Sequence, residues 1–363
     1  MKYLFGDVLE IKNGKNQRAV ENPEGRYPIY GSGGVMGYAD DYICEADTVI
    51  IGRKGSINNP IFVSEPFWNV DTAFGLVANQ ELLLPRYLFY FCKRFDFEKL
   101  NKTVTIPSLT KSDLLKIRIN LPDLKEQQEV IDKLITIESI IDLRKQEIVA
   151  LDNLIRARFV EMFGDPISNP KGWNMVELGE LTGIGSSKRI FEKEYVSEGI
   201  PFYRTKEIVE LSKGNSISTE LYITEERFAE IKKQYGVPKA GDLLISAVGT
   251  IGVIWIVDGK NDFYFKDGNL IRVDGSEKFD SVYMKNLLEH LIAEYKKQMS
   301  SGTAYAALTI SGLTKMKVYD VPMDLQNQFA DFVKQVDKSK VAVQKALDET
   351  QLLFDSLMQK YFG

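Results

Sequence analysis

The stretch that decides the fold is LKEQQEVIDKLITIESIIDLRKQEIVALDNLIRARFVEMF, from Leu124 to Phe163, which contains neither glycine nor proline. An uninterrupted run of about forty residues predicts one helix roughly 60 Å long, at about 1.5 Å per residue. Apolar side chains recur every three or four positions, which is the a/d pattern of a coiled coil. The predicted seam contains Val130, Leu134, Ile137, Ile141, Arg144, Ile148, Leu151, Ile155, Arg158 and Met162. Such a helix needs a second helix of similar length to bury its seam.

Residues 325–363 supply that second helix. They also lack internal proline and glycine, and a strand-like segment ending in proline precedes both helices, at Pro122 and at Pro322. Both helices end in Phe-Gly. We therefore predict that 124–163 and 325–362 pair as an antiparallel coiled coil, with two unrelated surface helices as the alternative. The second seam contains Phe329, Val333, Val336, Lys340, Val343, Leu347, Thr350, Phe354, Leu357 and Tyr361.

The remaining sequence reads as two copies of one domain. The opening around Gly6 recurs around Gly179, and the strand after Asp47 recurs after Asp242. The second copy is longer than the first because of an insertion within 208–235, which is acidic and predicted to be helical. These repeats predict an α+β fold: two strand-rich domains, separated by an antiparallel coiled coil of two long helices, in a pseudo-twofold internal duplication. The predicted segments are 1–122 and 166–322 for the domains, and 123–165 and 323–363 for the helices.

Composition narrows the class of protein. The 363 residues are 44% hydrophobic and 27% charged, which is ordinary for a soluble protein of two or three domains. No apolar run approaches the roughly 18 residues that a membrane span requires, and the N-terminus lacks the apolar core of a signal peptide. The two cysteines, Cys44 and Cys92, predict reduced thiols in a cytoplasmic protein without a metal site.

Net charge leaves the question of nucleic acid open. The formal charge of −5 by itself argues against a nucleic-acid partner. The excess acid lies on the first long helix, because residues 123–165 carry 10 acidic and 6 basic side chains. The two globular halves are close to neutral. A DNA contact must therefore come from local basic loops or from another subunit.

Motifs of catalysis are largely missing, so we expect no catalytic residues and no cofactor in this chain. The segment Gly31–Gly37 has Met36 where a dinucleotide-binding loop needs its third glycine, and no Walker A sequence occurs. Asn59-Pro60-Ile61-Phe62 has isoleucine in place of the second proline of the amino-methyltransferase signature. The carboxylates Asp71 and Asp267 have no partner that the sequence names.

Polar and basic loops in both halves are better suited to DNA recognition. Arg53-Lys54-Gly55 places two cations at the end of a buried strand, where they can approach a phosphate backbone. Arginine reads guanine through paired acceptors, and asparagine or glutamine reads adenine. Any one loop could equally be a solvated basic turn, but recurrence in both copies favours function. The candidate DNA-binding residues are Lys15, Asn16, Gln17, Arg18, Ser32, Arg53, Lys54, Ser56, Asn58, Ser187, Lys188, Arg189, Arg204, Thr205, Lys206, Lys266, Asn269, Thr303 and Tyr305.

These features together resemble the specificity (S, HsdS) subunits of type I restriction–modification systems, over essentially the whole chain. The resemblance rests on Leu121-Pro122-x-Leu124-x-Glu126-Gln127-Gln128 at the start of the first helix and on the segment from Ala157 to Pro166 at its end. The first domain adds Tyr30-Gly31-Ser32-Gly33-Gly34 and Ile51-Gly52-Arg53-Lys54-Gly55. The second helix departs from the pattern, since Leu325-Gln326-Asn327-Gln328 replaces Leu-x-Glu-Gln-Gln, so the two helices need not bind partners equally.

The resemblance implies a non-catalytic subunit whose two target-recognition domains each read one half of a split, asymmetric site in double-stranded DNA. The helices would space the half-sites and dock two modification (HsdM) subunits, which bring S-adenosylmethionine and methylate adenine. Restriction (HsdR) subunits would add translocation and cleavage driven by ATP and Mg²⁺. Two other hypotheses stay open at this point: a coiled-coil scaffold whose domains bind protein, and an autonomous nuclease or methyltransferase. The residues expected to form the coiled coil and the docking surface are Leu134, Ile141, Ile148, Leu151, Ile155, Phe163, Val336, Val343, Leu347, Phe354 and Leu357.

Overall fold

The computed structural model describes residues 1–101, 106–299 and 307–363. The chain divides into two compact units, one formed by Met1–Glu147 with Val343–Gly363 and the other by Ile148–Ala342. Each unit therefore contains one strand-rich domain together with a segment of each long helix. The finer division at 122/123, 165/166 and 322/323 stays a prediction.

The first unit contains a domain of short strands and helices, and a long helix follows this domain. Its elements are β1 (Lys2–Leu4), α1 (Phe5–Val8), β2 (Leu9–Asn13), β3 (Tyr27–Gly31), β4 (Gly34–Ala39), β5 (Thr48–Gly52), β6 (Ile61–Val63), β7 (Trp68–Asn69), β8 (Ala73–Ala78), α2 (Pro85–Arg94), α3 (Lys111–Leu114), β9 (Arg118–Asn120) and the start of α4 (Leu124–Phe163). The strands form three sheets, with orders β2-β8-β5-β6, β4-β3-β7 and β1-β9. All pairs are antiparallel except β3 with β7.

The second unit repeats this plan. Its elements are β10 (Asn174–Glu177), α5 (Leu178–Leu181), β11 (Ile184–Gly185), β12 (Ile200–Tyr203), α6 (Thr205–Ser212), β13 (Tyr222–Ile223), α7 (Glu225–Gln234), β14 (Leu243–Ser246), β15 (Ile254–Ile256), β16 (Tyr264–Phe265), β17 (Leu270–Val273), α8 (Ser281–Met299), α9 (Ile310–Thr314), β18 (Lys317–Asp320) and the start of α10 (Met323–Phe362). The three sheets have orders β11-β17-β14-β15, β13-β12-β16 and β10-β18. The corresponding sheets confirm the predicted duplication and the α+β class.

The strand repeat is offset by one residue from the sequence prediction. Asp47 corresponds to Gly241 and not to Asp242, because these two adopt the left-handed conformation before the strand, with φ of 58° and 88°. The same offset aligns Gly55 (φ 82°) with Gly249 (φ 75°) in the turn after the strand. Asp47 and Asp242 therefore do not correspond, although the sequences around them are similar. The left-handed backbone conformation, and not the identity of the side chain, defines the turn. The insertion at 208–235 is helical only in part, since β13 lies between α6 and α7.

The two long helices pair within each unit. In the second unit the pairing is antiparallel: Lys340 donates to Asp152 at 2.6 Å, while the ring centroid of Phe163, eleven residues further along α4, lies 5.6 Å from that of Phe329. In the first unit, Arg144 of α4 donates to the Ala346 carbonyl and the Thr350 hydroxyl of α10. The predicted antiparallel coiled coil is confirmed, and Arg144 explains one polar interruption of the seam. Helix α4 has its predicted bounds, whereas α10 starts two residues early, at Met323.

A buried glutamine fastens the first turn of each long helix to its domain. The Gln127 amide accepts a bond from the Leu84 N–H at 2.9 Å and donates to the carbonyls of Leu82 and Pro122. In the second unit, Gln326 accepts from the Asp280 N–H at 2.9 Å and donates to the Val321 carbonyl at 2.8 Å. Leu84 and Asp280 directly precede α2 and α8. The Leu-x-Glu-Gln-Gln motif therefore contains a structural residue that positions the helix on its domain.

Candidate nucleic-acid interface

The predicted residues of the first unit lie at one end of the β2-β8-β5-β6 sheet. Strands β2 and β5 end there, and β8, which pairs with both, begins there. The Lys15 N–H donates to the Asn69 carbonyl at 3.0 Å, and the Arg53 N–H donates to the Thr72 carbonyl at 2.8 Å. A Cβ built on Gly52 would lie 3.1 Å from that of Ser32, so the β3–β4 turn lies against the same loop. Two predicted loops thus bond to the segment Asn69–Thr72, and the third packs against one of them.

Arg53 and Lys54 are exposed at this sheet end. The Arg53 guanidinium lies 5.7 Å from the ring centroid of Phe74, and its Nη1 atom is 3.4 Å from the Asp71 carbonyl, a long hydrogen bond. No carboxylate of the described chain pairs with Arg53, so its charge is available to an anionic partner. Arg53 therefore combines exposure, positive charge and freedom to reorient.

Other predicted residues of this unit shape the loops. Asn58 donates to Asp96 at 3.1 Å and accepts from the Phe97 N–H at 2.7 Å, so both ends of its amide are occupied. Asn16 accepts from the Arg18 N–H at 2.9 Å, which closes a turn. Ser56 and Arg18 are exposed, and Gln17 is half-buried. Asn58 thus has a structural role that the sequence did not predict.

In the second unit the predicted residues converge at the same end of the β11-β17-β14-β15 sheet. The Lys188 N–H donates to the Tyr264 hydroxyl at 2.6 Å, and the Lys266 N–H donates to the Tyr203 carbonyl at 2.8 Å. The Arg189 Nε atom donates to Asp267 at 2.7 Å. A pocket of about 550 Å³ opens here, lined by Arg189, Ile190, Phe191, Glu192, Lys266, Asp267, Gly268 and Asn269.

Arg204, Thr205 and Lys206 lie at the start of α6, next to this pocket. The Arg204 side chain donates to the buried Glu207 at 3.1 Å, and this hydrogen bond raises the pKa of Arg204 above its ordinary value. Lys206 is exposed and Thr205 is half-buried. The predicted residues Thr303 and Tyr305 lie outside the residues that the structure describes.

Unpaired polar atoms concentrate at this site. Across residues 1–101, 106–299 and 307–363, six buried side-chain nitrogen or oxygen atoms have no hydrogen-bond partner, and four of them belong to the converging segments. Buried polar groups are nearly always paired, so these atoms have hydrogen-bonding capacity left for water or a ligand. The four atoms are Ser187 Oγ, Arg204 Nε, Thr205 Oγ1 and Asp267 Oδ1.

Strand register identifies the corresponding loops of the two units. Ile11 and Val49 both pair with Leu76, as Ile184 and Leu243 both pair with Val273. Counting onward from these rows, Arg189 occupies the position of Asn16, and Ala247-Val248 occupies that of Arg53-Lys54. For Arg53 and Ala247 the backbone agrees, because the Leu109 N–H donates to the Arg53 carbonyl at 2.9 Å and the Leu308 N–H donates to the Ala247 carbonyl at 3.0 Å.

Two aspartates are the main residues for which sequence analysis found no partner. Asp71 and Asp267 each follow the strand that pairs in parallel with β3 or β12. Asp267 binds Arg189 through its side chain, and Asp71 receives Arg53 through its carbonyl. No local pattern indicates these contacts, because each joins segments at least 18 residues apart.

The predicted coiled-coil and docking residues mostly face the interior of their own unit. Buried members are Leu134, Ile141 and Phe354 in the first unit and Ile155, Phe163 and Val336 in the second. Ile148, Leu151, Val343, Leu347 and Leu357 are half-buried. These positions therefore serve helix pairing, and their role in docking stays a prediction. The same helices expose other apolar side chains, among them Leu143, Val149, Leu154, Val341, Leu352 and Leu353.

The remaining observations concern metal binding, membrane-spanning helices and the two cysteines. In the described part of the chain, no group of three or more His, Cys, Asp or Glu side chains is placed to hold a metal ion. None of the described helices combines the length and apolar character needed to cross a membrane. Both cysteines are free and buried, and burial raises the pKa of the Cys44 thiol to about 12.

Comparison with known proteins gives consistent matches over the chain. A family model described as the type I restriction modification DNA specificity domain matches residues 1–153 and 170–350. A Haemophilus influenzae chain that carries the name of a type I restriction enzyme specificity subunit is 27% identical over 346 residues, covering 93% of this chain and 86% of that one. The MjaIX type I restriction enzyme specificity subunit of Methanocaldococcus jannaschii is 24% identical over 339 residues, covering 85% and 74%.

Solved structures match the fold over its full length. The S subunit of a type I restriction–modification system from M. genitalium superposes with a TM-score of 0.60 at 18% identity, covering 100% of this chain and 96% of that one. A chain solved in work on complex assembly and conformational transition of the type I R-M system has a TM-score of 0.63 at 17% identity, covering 100% and 97%. At these identities the likeness concerns the fold.

Proposed function

Because this chain belongs to the family of type I restriction–modification DNA specificity domains, we propose that it is the sequence-specificity subunit of a type I restriction–modification complex. The observation that carries the proposal is the repetition of one site in both units. In each unit, cations and amides gather where the first and third strands of a four-stranded sheet end. Such groups suit the phosphates and base edges of DNA.

The proposed DNA site is bipartite and asymmetric. Each unit has one reading surface, so one chain reads two half-sites. Corresponding positions carry different side chains, Asn16 against Arg189 and Lys54 against Val248, so the two half-sites differ in sequence. The hypothesis of a purely protein-binding scaffold does not account for this repeated gathering of basic and amide side chains.

The chain acts in this proposal without catalytic residues of its own. Two HsdM subunits would dock on it, supply S-adenosylmethionine and methylate adenine, and HsdR subunits would supply ATP- and Mg²⁺-dependent cleavage. The exposed apolar residues Leu143, Val149, Leu352 and Leu353 on the long helices are the side chains best placed for such docking. We place the complex in the cytoplasm, where the free thiols of Cys44 and Cys92 stay reduced.

A domain exchange tests the proposal. Residues 1–122 are replaced by the corresponding domain of another family member, and methylated sites in the host genome are mapped by sequencing. We expect one half of the methylated motif to change and the other half to persist. An unchanged motif would contradict the assignment of reading to this domain, and a chain whose removal leaves methylation intact would contradict the function itself.

A further inference from the structure

Arg189 is the most exposed of the carboxylate-paired arginines in the described second unit. Its side chain is 66% exposed, against 39% for Arg158, 36% for Arg204, 26% for Arg227 and 21% for Arg272. Asp267, its partner, is only 13% exposed. The pair thus consists of a largely buried carboxylate and a guanidinium that projects from the surface.

The hydrogen bond with Asp267 leaves the two terminal nitrogens of Arg189 available to a ligand. Asp267 accepts from Nε at 2.7 Å, and across the described residues no protein atom bonds to Nη1 or Nη2. A carboxylate bonded at Nε orients the guanidinium plane and reduces the rotamer freedom that binding would otherwise remove. The two terminal nitrogens then form a fork that fits the O6 and N7 acceptors of guanine. Arg204 lacks this arrangement, because its Nη2 atom is bonded to Glu207 and its Nε atom is buried.

The surroundings of Arg189 favour a base over a phosphate. The pocket contains two cations, Arg189 and Lys266, and two anions, Glu192 and Asp267, so its formal charge is balanced. A pocket of balanced charge has no net electrostatic attraction for a phosphate. The exposed ring of Phe191 offers an apolar surface in the same pocket. A neutral base edge with two acceptors suits this combination better than an anion.

We infer that Arg189, positioned by Asp267, reads a guanine in the half-site bound by the second unit. This inference rests on the proposed function and adds to it a base, a reading residue and a positioning residue. Asp267 acts through Arg189, because its remaining oxygen, Oδ1, is buried. The position of Arg189 in the first unit is occupied by Asn16, so this particular contact belongs to the half-site bound by the second unit.

The test is selection of bound sequences from a randomised duplex DNA pool by the full chain copurified with its methyltransferase subunits. The wild type is expected to select a guanine at one position of one half-site. Arg189→Ala is expected to lower the preference for that guanine roughly 5- to 150-fold, the range of one bidentate contact, and to leave the other half-site unchanged. Arg189→Lys keeps the charge but loses the fork, so it is expected to recover only part of the preference.

Variants of Asp267 test the positioning role. Asp267→Asn retains an oxygen that can accept from Nε, so we expect a smaller loss at the same base than with Asp267→Ala. A merely structural role would lower binding to all sequences without changing the preferred base. Lys260→Ala is the matched control, because Lys260 pairs with an acid at 3.2 Å in the loop after β15, at the opposite end of the same sheet. Thermal unfolding establishes that each variant folds.

The outcomes separate the inference from the function. If the wild type selects a bipartite motif but Arg189→Ala weakens all sequences equally and lowers the salt slope by about one, Arg189 is a phosphate contact and the inference is overturned. A selected motif without guanine in the affected half-site overturns it as well. A wild-type complex that selects no motif overturns the proposed function, and the inference with it.

Discussion

The loops that follow β5 and β14 have corresponding backbone hydrogen bonds but different side chains. In the first unit this loop carries Arg53 and Lys54, both exposed, and in the second unit it carries Ala247 and Val248. In the second unit the neighbouring loop, after β11, carries Arg189 at the position of Asn16, whereas the corresponding loop of the first unit carries its cations at Lys15 and Arg18. Because both loops lie at one end of the same sheet, an arginine on either one reaches the same region. The duplication therefore keeps the frame and changes which side chains its loops carry.

The difference also concerns how each arginine is held. Arg189 is oriented by a carboxylate at 2.7 Å, whereas Arg53 is linked only to a carbonyl at 3.4 Å and to the face of an aromatic ring. An oriented guanidinium suits a fixed geometric demand such as a base edge. A free guanidinium can follow a phosphate backbone or adapt to a base. The two units thus differ in preorganisation as well as in sequence.

The largest expected effect concerns the buried glutamines. It tests whether the same kind of hydrogen bonding holds each long helix on its domain. Gln127→Leu and Gln326→Leu should each destabilise the unit that contains them, by about 1–3 kcal/mol for every buried backbone group left unpaired. Chemical denaturation measures both. The larger loss is expected for Gln127, which bonds to three backbone groups against two for Gln326.

Gln128→Leu is the matched control for that experiment. Gln128 belongs to the same motif, but it is exposed and bonds only to Asp132 on the helix surface. Its replacement should change the free energy of unfolding by less than about 0.5 kcal/mol. Equal effects of Gln127→Leu and Gln128→Leu would show that the buried bonds do not hold the helix on its domain.

The next effect concerns the loop after β5. Arg53→Ala should weaken DNA binding by roughly 1–3 kcal/mol if Arg53 reads a base, with the loss confined to sites that carry that base. If Arg53 contacts phosphate, binding to all sequences should weaken and the salt slope should fall by about one. Titrations of cognate and scrambled duplexes at several salt concentrations distinguish the two roles. Binding that is unchanged on both duplexes would remove Arg53 from the interface.

The smallest expected effect is a gain in DNA affinity from a substitution on the loop after β14. Val248 is 44% exposed and occupies the position of Lys54, so Val248→Lys introduces the missing cation without filling a buried space. We expect slightly tighter binding to every sequence and a salt slope steeper by about one, with the selected motif unchanged. Val341→Lys, at an exposed position on α10, controls for the added charge alone. The same gain from both variants would mean that this loop does not face DNA.

The sequence was sufficient for the long helices and for the duplication. Helix α4 begins and ends where the absence of glycine and proline predicted, since helix length and apolar spacing are local properties of the chain. The Arg53–Gly55 loop was also recognisable, as a basic turn after a fully buried strand. The one-residue error at Asp242 arose because similar letters were aligned where the left-handed turn conformation sets the register.

The composition of each candidate site depended on tertiary structure. Strand order in the second unit brings residues 186–189, 203–205 and 266–269 together and gives Asp267 its arginine. In the first unit, the segment that follows α2 occupies the amide of Asn58. Sequence alone determined that the chain has two similar domains, two paired helices and several basic loops, because these follow from local periodicity and repetition. Only the tertiary structure decided which side chains share a pocket and which are used up in holding loops, because contacts between distant segments follow from strand order and not from spacing along the chain.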